Sequence, residues 1–124
     1  MRLEEYFQQI QATLALFPQV VLKTMRYDQR SETKGFIRGV MHFADGSELH
    51  VREFVDVSVG IERFKYSYHY MGGGRTVFRY DNAADTTARG FATYPHHKHV
   101  GEVIEASPVP TLQEVLAEIV AALP

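Results

Sequence analysis

The stretch Phe64-Lys-Tyr-Ser-Tyr-His-Tyr-Met-Gly-Gly-Gly-Arg-Thr-Val-Phe-Arg-Tyr-Asp81 reads as two strands joined by a glycine turn. Phe64, Tyr66, Tyr68 and Tyr70 fall on one face of an extended chain, while Lys65, Ser67 and His69 fall on the other. A three-residue loop of Gly72 to Gly74 would set Met71 opposite Arg75. Tyr68 then faces Phe78, Tyr66 faces Tyr80, and Lys65 faces Asp81. Aromatic meets aromatic and charge meets counter-charge, as a correct register requires. Lys65, His69, Arg79 and Asp81 share the polar face.

Working upstream, Phe36–Phe43 and Glu48–Val59 flank Asp45-Gly46, a dipeptide that tolerates the positive φ of a tight primed hairpin turn. In the second segment Leu49, Val51, Val55, Val57 and Val59 alternate with His50, Arg52, Asp56 and Ser58, so one face is wet. Val20–Asp28 is strand-like and Gln29–Lys34 is a polar loop. Leu3, Phe7, Ile10 and Leu14 line one stripe of a helix that ends before Pro18. Downstream of Asp81 the pattern fades into a connection with a turn of helix, then a short strand near Phe91–Tyr94. The closing helix is capped by Thr111 with Glu114 completing a capping box, and Leu112, Val115, Leu116, Ile119, Val120 and Leu123 form its apolar stripe. This order predicts an α+β domain over residues 1–124: an N-terminal helix, a mostly antiparallel sheet of about five or six strands, and a C-terminal helix packed on the sheet.

The chain has 124 residues, 45% of them apolar and 23% charged, which suits one folded domain and excludes a disordered or fibrous class. Having no cysteine, it can form no disulfide, thiolate nucleophile or Cys-ligated zinc site. No apolar run approaches the roughly 20 residues that cross a bilayer, and the acidic start does not resemble an export signal. A cytoplasmic protein with no membrane association is expected. The net charge of −2 hides an asymmetry: Arg63 to Gly101 holds six cations (Arg63, Lys65, Arg75, Arg79, Arg89, Lys98), two acids (Asp81, Asp85) and four of the six histidines. Such a local surplus attracts phosphate.

Pro95-His96-His97-Lys98-His99 contains four consecutive protonatable groups, which folding alone does not demand. An imidazole titrates near pH ~6.5, so a histidine pair can supply a general base and a general acid together. Three readings compete. The string is a solvated loop; or His97 and His99, which point the same way in an extended chain, hold a metal with His69, Asp81 or Asp85 as third ligand; or it performs metal-independent acid–base work on a phosphodiester. In the last reading His96 or His99, with Lys98, moves protons and Arg79 clamps the phosphate with its planar fork. Asp81 orients a histidine or caps the strand end. Lys65, Tyr68, His69 and Arg75 are the expected RNA-binding residues, although most of the tyrosine ladder is better read as core. The triple glycine lacks the Gly-Lys-Ser/Thr and the following helix of a phosphate loop.

Taken together, Tyr66-Ser-Tyr-His-Tyr70, Arg79-Tyr-Asp-Asn82 and Pro95-His-His-Lys-His99 resemble the TumE-type toxin family of bacterial toxin–antitoxin pairs, most closely over residues 60 to 105. The resemblance implies a small bacterial protein that blocks growth by acting on RNA or translation. It also implies neutralisation by a helix-turn-helix antitoxin encoded beside it. The positions carried over are Tyr68, Arg79, Asp81, His96, Lys98 and His99. The expected function is therefore a toxin acting as a metal-independent endoribonuclease or another RNA-directed inhibitor of translation. The alternative is a non-catalytic RNA- or protein-binding module with a basic surface. His96, His99, Lys98, Arg79 and Asp81 are the expected catalytic set, no metal or cofactor is assigned, and a homodimer is compatible with this reading.

Overall fold

A computed structural model describes residues 1–124. Helix α1 (Leu3–Ala15) leads into seven strands, β1 (Val20–Gln29), β2 (Lys34–Phe43), β3 (Glu48–Asp56), β4 (Glu62–Gly72), β5 (Arg75–Asp81), β6 (His97–Val100) and β7 (Val103–Ala106), and helix α2 (Leu112–Ala122) closes the chain. A single 3-10 turn, Thr86–Ala88, interrupts the β5–β6 connection. The strands form one antiparallel sheet in the order β1-β2-β3-β4-β5-β6-β7. No helix is long and apolar enough to cross a membrane.

Seven strands replace the expected five or six, because the residues after Asp81 pair late. Phe91–Tyr94 lies in turns rather than a strand, and the histidine string itself begins β6. Strand β3 stops at Asp56, leaving Val59 98% exposed instead of in the core.

Both helices lie on one face of the sheet. Leu3, Tyr6, Ile10 and Leu14 of α1 and Leu112, Val115, Leu116 and Ile119 of α2 join one buried cluster with Ile37, Met41, Leu49, Val51, Val55, Tyr66, Tyr68, Tyr70 and Phe78. At Gly35 the helix sits directly on the sheet: a Cβ there would stand 2.5 Å from Leu3 Cδ2 and 2.8 Å from the Asp28 carbonyl oxygen. Helix α2 begins with the expected capping box. Thr111 Oγ1 accepts from the Glu114 N–H, while the Thr111 N–H donates to Glu114 Oε1, both at 3.1 Å.

One buried acid interrupts this apolar layer. Glu53 is 1% exposed and accepts hydrogen bonds from the hydroxyls of Tyr6 and Tyr68. Arg63 donates to the Tyr68 oxygen at 2.8 Å and to the Pro110 carbonyl. Burial, then the Glu53 charge, raise the pKa of both tyrosines, so their hydroxyls stay protonated and donate.

The two central hairpins exchange their expected turn lengths. Gly73 and Gly74 have φ of 59° and 74°, and Gly72 pairs with Arg75, which makes a two-residue primed turn in place of three glycines. At the other hairpin Phe43 and Ser47 close a three-residue loop with Gly46 at φ 86°; no non-glycine residue has positive φ, which excludes the expected primed turn at Asp45. The shorter glycine turn moves the β4–β5 register by one residue, and a bulge between Tyr70 and Met71 moves it by one more. Tyr68 consequently faces Tyr80, Tyr70 faces Phe78, His69 faces Arg79 and Ser67 faces Asp81. A shift of two keeps every side chain on its expected face while correcting all four pairings. Phe64 is the exception: a second bulge between Phe54 and Val55 leaves it unpaired, 50% exposed and stacked on Phe54 instead of aligned with the tyrosines.

Candidate nucleic-acid interface and acid–base site

The face of the sheet turned away from the helices is polar, and strand pairing arranges it in rows. One row runs Arg26, Arg38, Arg52, Ser67, Asp81, His97 from β1 to β6. The next runs Thr24, Val40, His50, His69, Arg79, His99. Beside the arginines lies a third row, Phe36, Phe54 and Lys65. These rows line a groove of about 650 Å³ whose wall includes Arg30, Arg38, Arg52, Lys65, His69 and Arg79. Its two carboxylates, Glu53 and Asp81, are both buried. With Arg30, Arg38, Arg52, Lys65 and Arg79 against these two acids, the groove is cationic.

Three arginines opposite one another on adjacent strands repel, and no carboxylate forms an ion pair with Arg26, Arg38 or Arg52. Only Arg38 has a compensating contact, its guanidinium lying 5.2 Å from the centre of the Phe36 ring. Phe36 and Phe54 touch at 4.6 Å between centroids, and Phe54 stacks on Phe64 at 5.8 Å. A row of unneutralised guanidinium groups beside half-exposed aromatic rings is what a single-stranded nucleic acid needs, the phosphates meeting charge and the bases meeting flat surfaces.

At the β5–β6 end the second row gathers titratable groups. Arg79 stands between His69 on one side and His99 on the other. Its Nη2 donates to His99 Nε2 at 3.1 Å and its Nε donates to Asp81 Oδ2 at 2.7 Å. His69 Nε2 lies 2.7 Å from Thr76 Oγ1. Burial and the Arg79 charge lower the pKa of both His69 and His99, with Asp81 opposing the shift. Both rings are thus biased toward the neutral, basic form. His99 is not part of the groove wall but adjoins it through Arg79.

Behind His99 lies His97, 1% exposed. Its Nδ1–H donates to the Pro95 carbonyl at 2.8 Å, and its Nε2 is 3.0 Å from Asp81 Oδ1 and 3.0 Å from His99 Nε2. The buried Asp81 also accepts from the Ala83 N–H at 3.0 Å.

Of the expected catalytic residues, Arg79, Asp81 and His99 converge; His96 and Lys98 do not. Alternation along β6 turns Lys98 to the helix face, where its Nζ donates to Glu118 Oε2 at 2.8 Å and lies 4.9 Å from the Tyr80 ring centre. Burial alone would lower the Lys98 pKa, but these partners reverse the sign and raise it. His96 precedes the strand and stacks on Tyr66 at 5.8 Å, its Nδ1 3.0 Å from the Tyr66 hydroxyl. Burial, followed by Arg63 and His97, lowers its pKa. Tyr66 itself is pushed up to about 12, chiefly by burial.

Among the expected RNA-binding residues, Lys65 and His69 lie in the groove and Arg75 is exposed at the hairpin end of β5. Tyr68 is fully buried against Glu53 and has no surface to offer RNA. Asp85 caps the 3-10 turn by accepting from the Thr87 N–H at 2.9 Å. Arg26, Arg38, Arg52, Phe36 and Phe54 were not singled out from sequence as a site, and His97 was named there only as a metal ligand. The usable signal was the polar phase of β2 and β3, where Arg38 and Arg52 alternate with apolar neighbours on either side of one hairpin.

A family model described as Toxin TumE matches residues 9–123. No curated protein and no solved structure matches the chain.

Proposed function

The chain belongs to the TumE toxin family, so it is the toxin of a toxin–antitoxin pair with an antitoxin as partner, and from that premise we propose that it is a metal-independent endoribonuclease whose open sheet face binds single-stranded RNA. The observation that carries this reading is the row His69–Arg79–His99 on three adjacent strands. Neighbouring strands are ~4.8 Å apart, which separates the two histidine backbones by about 10 Å with the guanidinium between them. A phosphodiester on Arg79 therefore has an imidazole on each side.

The chemistry follows from that spacing. Neutral His69 takes the proton of a ribose 2′-hydroxyl, whose oxygen attacks the adjacent phosphorus. Arg79 holds the charge that develops on the non-bridging oxygens. His99 acts as the acid from its protonated form, the minority form beside Arg79, and gives that proton to the departing 5′-oxygen. The products are a 2′,3′-cyclic phosphate and a 5′-hydroxyl end. Arg26, Arg38 and Arg52 hold the flanking backbone while Phe36, Phe54 and Phe64 stack bases. His96 and Lys98 have no part in this scheme; they support Tyr66 and Glu118 on the other face.

The test is to incubate the purified chain with a mixed-sequence oligoribonucleotide in EDTA and to analyse the new ends. Cleavage leaving cyclic phosphates, abolished in His69→Ala and His99→Ala proteins that melt like the parent, supports the reading. RNA that stays intact, or cleavage indifferent to both substitutions, refutes it. A non-catalytic RNA-binding module is favoured by the arginine and phenylalanine rows alone. It would retain RNA after both histidine changes and cut none before them. In either reading we take the antitoxin to be a helix-turn-helix protein.

A further inference from the structure

We propose that Asp81, His97 and His99 form a binding site for one divalent transition-metal ion of the zinc class, in competition with Arg79. The inference adds a ligand to the site read above as ribonucleolytic, but the metal site itself rests on geometry and not on that activity.

Three side chains, each offering one ligand atom, already converge to within 4.8 Å of one another. Asp81 Oδ1 and His97 Nε2 are 3.0 Å apart, His97 Nε2 and His99 Nε2 are 3.0 Å apart, and His99 Nε2 is 3.5 Å from Asp81 Oδ2. Tetrahedral zinc with ligands at 2.0–2.1 Å spaces those ligands ~3.4 Å from one another. These spacings lie near that figure, and because Asp81 offers Oδ1 to His97 and Oδ2 to His99, a turn of its carboxylate would bring one oxygen to both rings.

The supporting contacts are those of a built site. His97 Nδ1–H is committed to the Pro95 carbonyl, which fixes the ring and directs the Nε2 lone pair at Asp81 and His99. Three acceptors facing one another inside the protein need a shared cation, whether a proton or a metal. Asp81 is held from outside by the Ala83 N–H and the Arg79 Nε. Two imidazoles and one carboxylate select a borderline ion such as zinc over magnesium or calcium, which prefer oxygen alone. His99 and the 40%-exposed Arg79 side chain open the trio toward the groove, giving the ion a path in.

Arg79 supplies the diagnostic. Its Nη2 occupies the His99 Nε2 lone pair at 3.1 Å and places a positive charge where the ion would sit. Removing that guanidinium should strengthen metal binding, whereas removing any ligand should weaken it. A merely structural cluster shows neither effect in opposite directions.

The experiment is calorimetric titration of zinc chloride into the EDTA-stripped, dialysed full-length chain, with magnesium chloride as control. We expect one site per chain for zinc and none for magnesium. His99→Gln and Asp81→Asn should weaken zinc binding by about 100-fold or more, and Arg79→Gln should tighten it by about tenfold. His99 is partly exposed, so its variant remains informative where a change at buried Asp81 unfolds the chain; melting curves establish which is the case. Zinc should also raise the melting temperature of the parent but not of His99→Gln. His50→Gln is the control for the separate His42–Glu48–His50 contacts, whose side chains are all more than a third exposed.

No stoichiometric zinc binding, binding unchanged in His99→Gln, or binding lost only in His50→Gln would overturn the proposal. Zinc binding with the expected ranking, in a chain that cuts no RNA with or without the ion, upholds the metal site and removes the ribonuclease reading. Cleavage by the stripped chain that stops at equimolar zinc upholds both.

Discussion

Replacing Arg79 with glutamine is the sharpest perturbation of the proposed reaction, because it separates catalysis from stability. The side chain is 40% exposed and its ion pair with Asp81 is only half shielded, so the pair contributes about 1 kcal/mol or less to folding. Asp81 keeps His97 and the Ala83 N–H as partners after the change. A loss of that size lowers the melting temperature by about 4 °C. Losing a preorganised donor to a developing oxyanion costs far more, about 3 kcal/mol or a factor of 10²–10³ in kcat. A second effect follows from the field of the guanidinium. It lowers the pKa of His69 in concert with burial, so its removal lets that pKa rise toward the ordinary 6.5. Since the base works when neutral, the acid limb of the kcat/KM profile should move to higher pH. Initial rates on a fluorescent oligoribonucleotide across pH 5 to 8, with melting curves on the same samples, read all three quantities. A variant that cleaves within about threefold of the parent, a difference of under 1 kcal/mol, or whose acid limb stays in place, refutes the arrangement.

Glu53→Ala should lower stability by about 3 kcal/mol, because it strands the hydroxyls of Tyr6 and Tyr68 beside a now unopposed Arg63; urea melts showing a loss below 1 kcal/mol would mean the hydroxyls find other partners. Arg38→Ser and Arg52→Ser should each reduce the slope of log K against log salt for RNA binding by about 1 while leaving stability equal or higher, since they relieve cross-strand repulsion. Fluorescence anisotropy at several salt concentrations checks the slope. His69, His96 and His99 all have pKa values below 6.5 in the fold, so between that value and the lowered ones the unfolded chain binds more protons and stability rises with pH. The melting temperature should therefore fall as pH drops from about 7 to 5, and His96→Gln should flatten the slope by one histidine's share.

The face of each central strand was legible because alternation survives errors of register that are even. The glycine turn and the Tyr70–Met71 bulge each moved the β4–β5 pairing by one residue, and the two moves together returned His69, Arg79 and Asp81 to the same side. Phe64 shows the other outcome, since a single bulge with no partner sent it to the opposite face. Turn length depends on which glycines accept positive φ in context, and bulges depend on packing across strands, so neither is written in a local pattern.

The histidine string illustrates a different limit. Its composition advertised chemistry, and the alternation of an extended chain already placed His97 and His99 together; what it could not supply was the partner strand. Pairing with β5 decides that His97 meets Asp81 and His99 meets Arg79, leaving Lys98 to Glu118 and His96 outside the strand. That pairing spans a long connection and closes only when the sheet forms. The arginine row was closer to hand, because β2 and β3 are joined by a short hairpin and their polar residues alternate. Its meaning lies in a conflict: folding gains nothing from Arg26, Arg38 and Arg52 in register, and their mutual repulsion opposes it. A sheet face that keeps such a row beside open aromatic rings, with an arginine between two imidazoles in the next row, suits an anion that the chain itself does not contain.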